Sequence, residues 1–206
     1  MKIVIIDYGL GNLGSVKNAL DKLSVDSMIS KSVKDIKSAT GLIFPGVGSA
    51  TEGMKNLRES GLDKVIIKQI ENKKPILGIC LGMQLLFSSS EEGNTECLNV
   101  VGGKVKKFSA NLKVPQIGWN QVKQKSSKLF SGIENNSYFY FVNSYYCQPK
   151  EIEMITGMTD YGINFCNTIE KNNIFGVQFH PEKSGKNGLR LLKNFVDFVY
   201  ANNTGN

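Results

Sequence analysis

Three features of the sequence predict an α/β fold built on a doubly wound, mostly parallel sheet with antiparallel additions in the C-terminal half. Short apolar runs alternate with segments of helical period up to residue 87, the pattern of successive βαβ units. The runs are apolar throughout, as strands covered on both faces require. From Val100 onward the strand-like runs are joined by turns, with no long helical pattern before the last helix.

Residues 2–7 are the first expected strand, followed by a Gly-rich turn and a helix over about 15–23. Gly9-x-Gly11-x-x-Gly14 follows a strand and opens a helix, the setting of a dinucleotide fingerprint. That fingerprint needs an acidic residue ending the second strand. Here Asp26 precedes Ser27-Met28-Ile29, and the segment then turns Lys-rich. The glycines are therefore read as turn chemistry, with Asn12 bonding the loop backbone, and no cofactor is expected. Residues 41–44 form a third strand that runs into Pro45-Gly46-Val47-Gly48. Two glycines around Val47 leave its peptide groups free to approach a ligand or to reorient, although a tight strand-to-helix turn is the commoner explanation. Helices are expected over 51–59 and 62–72.

Residues 75–79 are the next buried strand, and residues 81–87 carry apolar side chains at helical spacing. The backbone must then turn sharply at Cys80, with Gly78 and Gly82 two residues to either side. This is a Gly-x-nucleophile-x-Gly elbow with sulfur in place of hydroxyl, and it places the thiol at a helix N-terminus that favours a thiolate. The bland alternative is a buried structural cysteine. Further strands are expected over 101–108, 114–122, 138–146 and 164–170, with 157–162 as a turn. The last helix, about 187–201, packs Leu189, Leu192, Phe195, Val196 and Val199 along one face.

A chain of 206 residues, 41% of them hydrophobic, is long enough for one domain with a substantial core. That domain is expected over 1–201, with 202–206 a frayed tail. No run approaches the ~20 apolar residues of a membrane span, and the N-terminus enters a strand without an export leader. Cys80, Cys97, Cys147 and Cys166 show no CxxC spacing. One histidine cannot complete a usual zinc set, so no metal is expected. A reducing cytoplasm fits these features. The formal charge of +7 comes from scattered lysines, not from a stripe suited to nucleic acid. It is read as a solvated surface, with an acidic docking partner as the sharper possibility.

Gly176-Val177-Gln178-Phe179-His180-Pro181-Glu182 ends another apolar run and holds the only histidine. Any imidazole base must be His180. In extended chain Glu182 projects to the same side and can orient the ring. Cys80, His180 and Glu182 thus read as nucleophile, base and orienter, against the alternative of a surface histidine beside a carboxylate.

Gly78-Ile79-Cys80-Leu81-Gly82-x-Gln84 with a later His180-Pro181-Glu182 resembles the class I, triad-type glutamine amidotransferases. Asp7-Tyr8-Gly9-x-Gly11-Asn12, Pro45-Gly46-Val47-Gly48, Gly118-Trp119-Asn120 and Phe179 to Ser184 resemble, within that family, the glutaminase subunits of imidazole glycerol phosphate synthase. The resemblance covers residues 1 to about 200. It implies glutamine hydrolysis through a cysteine thioester, with ammonia passed to a separate (β/α)₈ synthase subunit in a heterodimer. It also implies an oxyanion hole from the N–H groups of Leu81 and Val47, the latter in a loop that rotates into place. Glutamine would be held by Gly46, Gly48, Gly82 and Gln84 and by the backbone around Ser144, Tyr145 and Tyr146. Trp119 and Lys183 would face the partner. Away from these motifs, Gln84 reads as a helix-surface amide and Trp119 as core.

Two positions depart from the pattern. The family usually carries histidines where this chain has Gln116 and Asn143. Those departures keep open a paralogous glutaminase serving a related synthase, such as one amidating a nucleotide sugar. A catalytically silent scaffold and a lone cysteine peptidase or deglycase are the rivals of other classes. The intact triad disfavours the scaffold, and Gln84, Trp119 and Lys183 disfavour the solitary hydrolase.

Overall fold

A computed structural model describes residues 2–109 and 111–203. Its first half follows the expected alternation: β1 (Ile3–Ile6), α1 (Leu13–Lys22), β2 (Ser27–Ser30), α2 (Val33–Ser38), β3 (Gly41–Gly46), α3 (Ala50–Ser60), α4 (Leu62–Glu71), β4 (Ile76–Cys80) and α5 (Leu81–Leu85). The second half is mostly strand: β5 (Phe87–Ser90), β6 (Thr95–Glu96), β7 (Val101–Lys107), β8 (Gln116–Gln124), β9 (Ser137–Asn143), β10 (Tyr145–Pro149), β11 (Ile155–Asp160), β12 (Asn164–Lys171), β13 (Ile174–Val177) and then α6 (Gly185–Asn203).

The main sheet runs β2-β1-β3-β4-β13-β12-β10-β7-β5-β6, and β11, β8 and β9 branch from β12. β2, β1, β3, β4 and β13 are parallel. Alternate residues of one strand serve opposite faces. Val4 and Ile6 pack with Ile36, Met54, Leu57 and Ile66 of α2, α3 and α4. Ile3 and Ile5 pack with Val16 and Leu20 of α1 and Leu192 and Phe195 of α6. Helices therefore cover both faces, as a doubly wound sheet requires, and the antiparallel strands lie in the C-terminal half.

Several elements differ from the sequence reading. The Lys-rich stretch after β2 contains α2, capped by Ser32 accepting from the Asp35 N–H and anchored by Ile36, its one buried residue. The helix after Cys80 stops at Leu85. Phe87 then pairs with Val101 as a short parallel strand. The run 138–146 is broken near Ser144, so β9 pairs with β8 while β10 enters the main sheet. Residues 157–160 belong to strand β11, not to a turn. Gly157 is needed there because a Cβ would lie 2.4 Å from Asn167 Oδ1 on β12. Helix α6 reaches Asn203, beyond the expected end at 201, and residues 204–206 of the expected tail lie outside the described residues. No described helix is long and apolar enough to cross a membrane.

Candidate active site

β3, β4 and β13 are adjacent and parallel, so their carboxyl ends open on one edge, where α/β sheets bind ligands. In register, Gly46 opposes Cys80, and Val177, three residues before His180, opposes Ile79. Three segments distant in sequence thus meet at the thiol.

Cys80 has φ 54 and ψ −110, a strained backbone of the kind concentrated at functional sites. Its neighbours show what enforces the bend. A Cβ on Gly78 would lie 2.8 Å from the Met83 backbone, and one on Gly82 would lie 1.7 Å from the Phe44 carbonyl. Only glycine lets the first turn of α5 sit so close to β3 and β4.

His180 is buried, and its Nδ1 lies 2.9 Å from Glu182 Oε1. The geometry behind that contact is not the extended one expected from spacing. Residues Pro181–Lys183 form a 3₁₀ turn, which curls the carboxylate back to the ring. The backbone is pinned from both sides: the His180 N–H donates to the Tyr140 carbonyl at 2.8 Å, and Ser184 Oγ donates to the His180 carbonyl at 2.6 Å. Burial pulls the imidazole pKa down, but hydrogen bonds and charge interactions with Cys80 and Glu182 outweigh it and raise the value to about 10. The ring is therefore held as imidazolium, paired with the sulfur and the carboxylate. The other thiols are different. Burial pushes Cys97 up to about 11 and Cys166 up to about 12, and raises Cys147 as well. Those three are inert packing thiols.

A cavity of about 320 Å³ opens onto Cys80 and His180. Its wall includes Val47, Gly48, Leu81, Gln84, Ser144, Tyr145 and Lys183 from the sequence-derived set. Gly46, Gly82 and Tyr146 are not on it. The two glycines are buried beneath the elbow, and Tyr146 packs its ring on Phe108 with centroids 5.0 Å apart. Trp119 is 53% exposed, not core. Asn12 Oδ1 accepts from Ser15 Oγ instead of bonding the loop backbone.

Residues without a role in the sequence reading also shape the site. Gln178 Nε2 donates to Cys80 Sγ at 3.7 Å, and its Oε1 accepts from Gln84 Nε2 at 3.0 Å. Gln84 Nε2 also reaches the Tyr145 carbonyl at 3.3 Å, where Asn143 Nδ2 donates at 3.0 Å. Amides on three elements thus lock the floor of the cavity. The only signal for Gln178 was its position two residues before His180. Glu92 enters the cavity wall from the turn after β5 while its Oε2 accepts from the Ala50 N–H at 2.7 Å. Nothing in the spacing pointed to it. Among the described residues no group of three or more His, Cys, Asp or Glu side chains could hold a metal ion.

A strained cysteine at a strand-to-helix elbow, a buried histidine and its carboxylate are the groups that a triad-type thiol hydrolase uses, here set on a doubly wound sheet. Solved structures with this fold include a glutamine amidotransferase (TM-score 0.77, 18% identity, covering 96% of this chain and 98% of that one). Another is PurLQS from Thermotoga maritima (TM-score 0.74, 14% identity, 96% and 98%). The chain belongs to the class I glutamine amidotransferase family, whose pattern it matches over residues 4–198. Within that family it is 49% identical to the imidazole glycerol phosphate synthase subunit HisH of Moorella thermoacetica, over 98% of both chains. It is also 49% identical to HisH of Haemophilus influenzae, over 97% of this chain and 98% of that one.

Proposed function

We propose that the chain is the glutaminase subunit of an imidazole glycerol phosphate synthase, hydrolysing glutamine at Cys80 and delivering ammonia to a separate synthase subunit. The observation that carries the reading is that the strained Cys80 and the raised His180 meet on one cavity, with the Glu182 carboxylate holding the far side of the His180 ring. Identity of 44–50% to HisH chains over nearly full length supports the histidine-pathway assignment over a nucleotide-sugar amidating paralogue.

In this mechanism the Cys80 thiolate attacks the carboxamide carbon of glutamine, and the carbonyl electrons move onto oxygen. The Leu81 N–H, first in α5, and the Val47 N–H at the cavity mouth are the proposed donors to that oxyanion. Each such donor contributes about 10²–10³ in rate. The His180 imidazolium gives its proton to the departing nitrogen, and ammonia leaves with formation of the thioester. Neutral His180 then takes a proton from water, which attacks the thioester and releases glutamate. Glu182 holds the ring and stabilises its charged form.

Glutamine also presents an α-ammonium and an α-carboxylate. Glu92 is the acidic side chain on the cavity wall and suits the ammonium. Gln84 and the backbone around Ser144 and Tyr145 suit the remaining polar groups. Lys183 stands at the same wall, and Ile117, Trp119 and Tyr138 form an exposed apolar face beside it. The synthase partner, of (β/α)₈ architecture, is proposed to cover that face in a heterodimer in the cytoplasm. Such a partner would receive the ammonia before it reaches solvent.

The test is Cys80→Ala in the assembled synthase. Glutamine-dependent turnover should vanish while turnover with added ammonia survives, because Cys80 serves only the hydrolytic half. Persistent glutamine hydrolysis by the purified variant would overturn the assignment.

A further inference from the structure

Tyr8, in the segment after β1, is buried at 4% exposure, yet its hydroxyl has no hydrogen-bond partner among the described residues. An unsatisfied buried hydroxyl costs about 1–3 kcal/mol, and such atoms are rare enough in folded proteins to need a reason. The location of this one suggests the reason. A Cβ built on Gly46 would lie 2.2 Å from Tyr8 Oη, so the hydroxyl sits directly over the Gly46 backbone. The ring itself is fixed, tilted against Phe44 with centroids 5.2 Å apart. Its Cε2 faces Gly53 of α3. The hydroxyl therefore has little freedom to seek a partner elsewhere, and the backbone beside it must come to it.

That backbone can move. Gly46 is the last residue of β3, opposite Cys80. Val47 and Gly48 follow outside regular structure, Gly48 at φ +112 and Val47 40% exposed. Turning the Gly46–Val47 peptide about its flanking bonds points the Val47 N–H and the Gly46 carbonyl in opposite directions. When the N–H faces the cavity, the carbonyl turns back toward the interior. A neutral donor waiting there would hold it.

We propose that Tyr8 is a positioning residue whose hydroxyl donates to the Gly46 carbonyl when the Gly46–Val47 peptide turns its N–H toward the oxyanion, latching the loop in its hydrolytic conformation. The inference rests on the glutaminase reading above and adds a residue to it. Burial and the nearby Cys80 raise the Tyr8 phenol far above its ordinary value, so it stays protonated as a donor must.

Tyr8→Phe removes the hydroxyl and keeps the ring. The latch and a merely structural role then predict opposite signs. In the resting chain the variant loses an unsatisfied polar atom, so its Tm should equal or exceed that of the unaltered protein. In the complex with the synthase subunit, kcat for glutamine hydrolysis should fall by roughly 10-fold, the equivalent of one neutral hydrogen bond, with KM within about twofold because the loss lies after substrate binding. A kcat within about twofold of the unaltered complex overturns the latch, whatever KM does. A fall in kcat accompanied by a fall in Tm also overturns it, since the hydroxyl would then be supporting the fold. An unaltered complex that hydrolyses no glutamine overturns the glutaminase reading and the latch together, whereas an active one leaves the latch alone on trial.

Discussion

His180 is buried among groups that pull its proton in opposite directions, and the balance can be read in a pH profile. Burial disfavours the imidazolium, while Cys80 and Glu182 favour it strongly enough to raise the pKa from 6.5 to about 10. A raised folded value means the stabilisation is fully present below pH 6.5 and is lost as pH rises through about 10. In the proposed mechanism catalysis follows the same proton, because ammonia leaves only once protonated. The alkaline limb of kcat/KM for glutamine should therefore lie near pH 10, not near 6.5. Replacing Glu182 by Gln removes one of the charges holding the proton, so that limb should move toward neutrality and the rate at pH 9 should drop most. A limb that stays in place in Glu182→Gln would show that the carboxylate does not set it. These residues were legible in the sequence because a single histidine leaves no choice of base. Glu182 was legible for a partly mistaken reason: a 3₁₀ turn, not extended chain, brings it to the ring.

Among the elements, the β4–α5 elbow carries the tightest constraints and was the most readable. Its glycines announce a close approach that nothing larger could make. Gly82→Ala would drive a methyl into the Phe44 carbonyl, and a loss of about 3 kcal/mol or more is expected from such overpacking. Gly14 offers a contrast within the same chain. It lies in α1 with nothing within 4 Å of its missing Cβ, so Gly14→Ala should stabilise by about 0.5–1 kcal/mol. Denaturant midpoints of the two variants should shift in opposite directions; shifts of like sign would contradict the packing derived for the elbow. What the sequence concealed were elements whose identity depends on distant partners. Residues 87–90 become strand because β7 lies alongside, and the run from Tyr138 to Tyr146 divides near Ser144 because its halves pair with different strands, β9 with β8 and β10 with β7. Helix α2 was hidden by its composition, since four of its six residues are polar and only Ile36 reaches the core. Gln178 and Glu92 escaped for a related reason: they acquire roles only once β4, β13 and the turn after β5 surround the same cavity.

At the scale of the whole molecule, no more than one ribbon separates the Cys80 cavity from the apolar face proposed to meet the synthase subunit. β8 and β9 pair so that Ile117, Trp119, Tyr138, Tyr140 and Val142 share a face. Trp119 and Tyr140 stack edge to face at 5.9 Å, and Ile117, Trp119 and Tyr138 are respectively 62%, 53% and 53% exposed. The ribbon also reaches the site, since the Val142 carbonyl lies 3.8 Å from Cys80 Sγ and His180 is pinned to Tyr140. An exposed aromatic anchor flanked by apolar side chains is the usual form of an interface hot spot, typically worth about 2 kcal/mol or more. Trp119→Ala should therefore weaken association with the synthase subunit by roughly 30-fold or more. The Tm of the free chain should stay within a degree or two, because the indole is exposed there. The same variant should remain able to hydrolyse glutamine when the partner is supplied in excess, since Trp119 is not on the cavity wall. Titration calorimetry of the two purified subunits measures the first effect, and unchanged affinity would move the docking face elsewhere on the molecule.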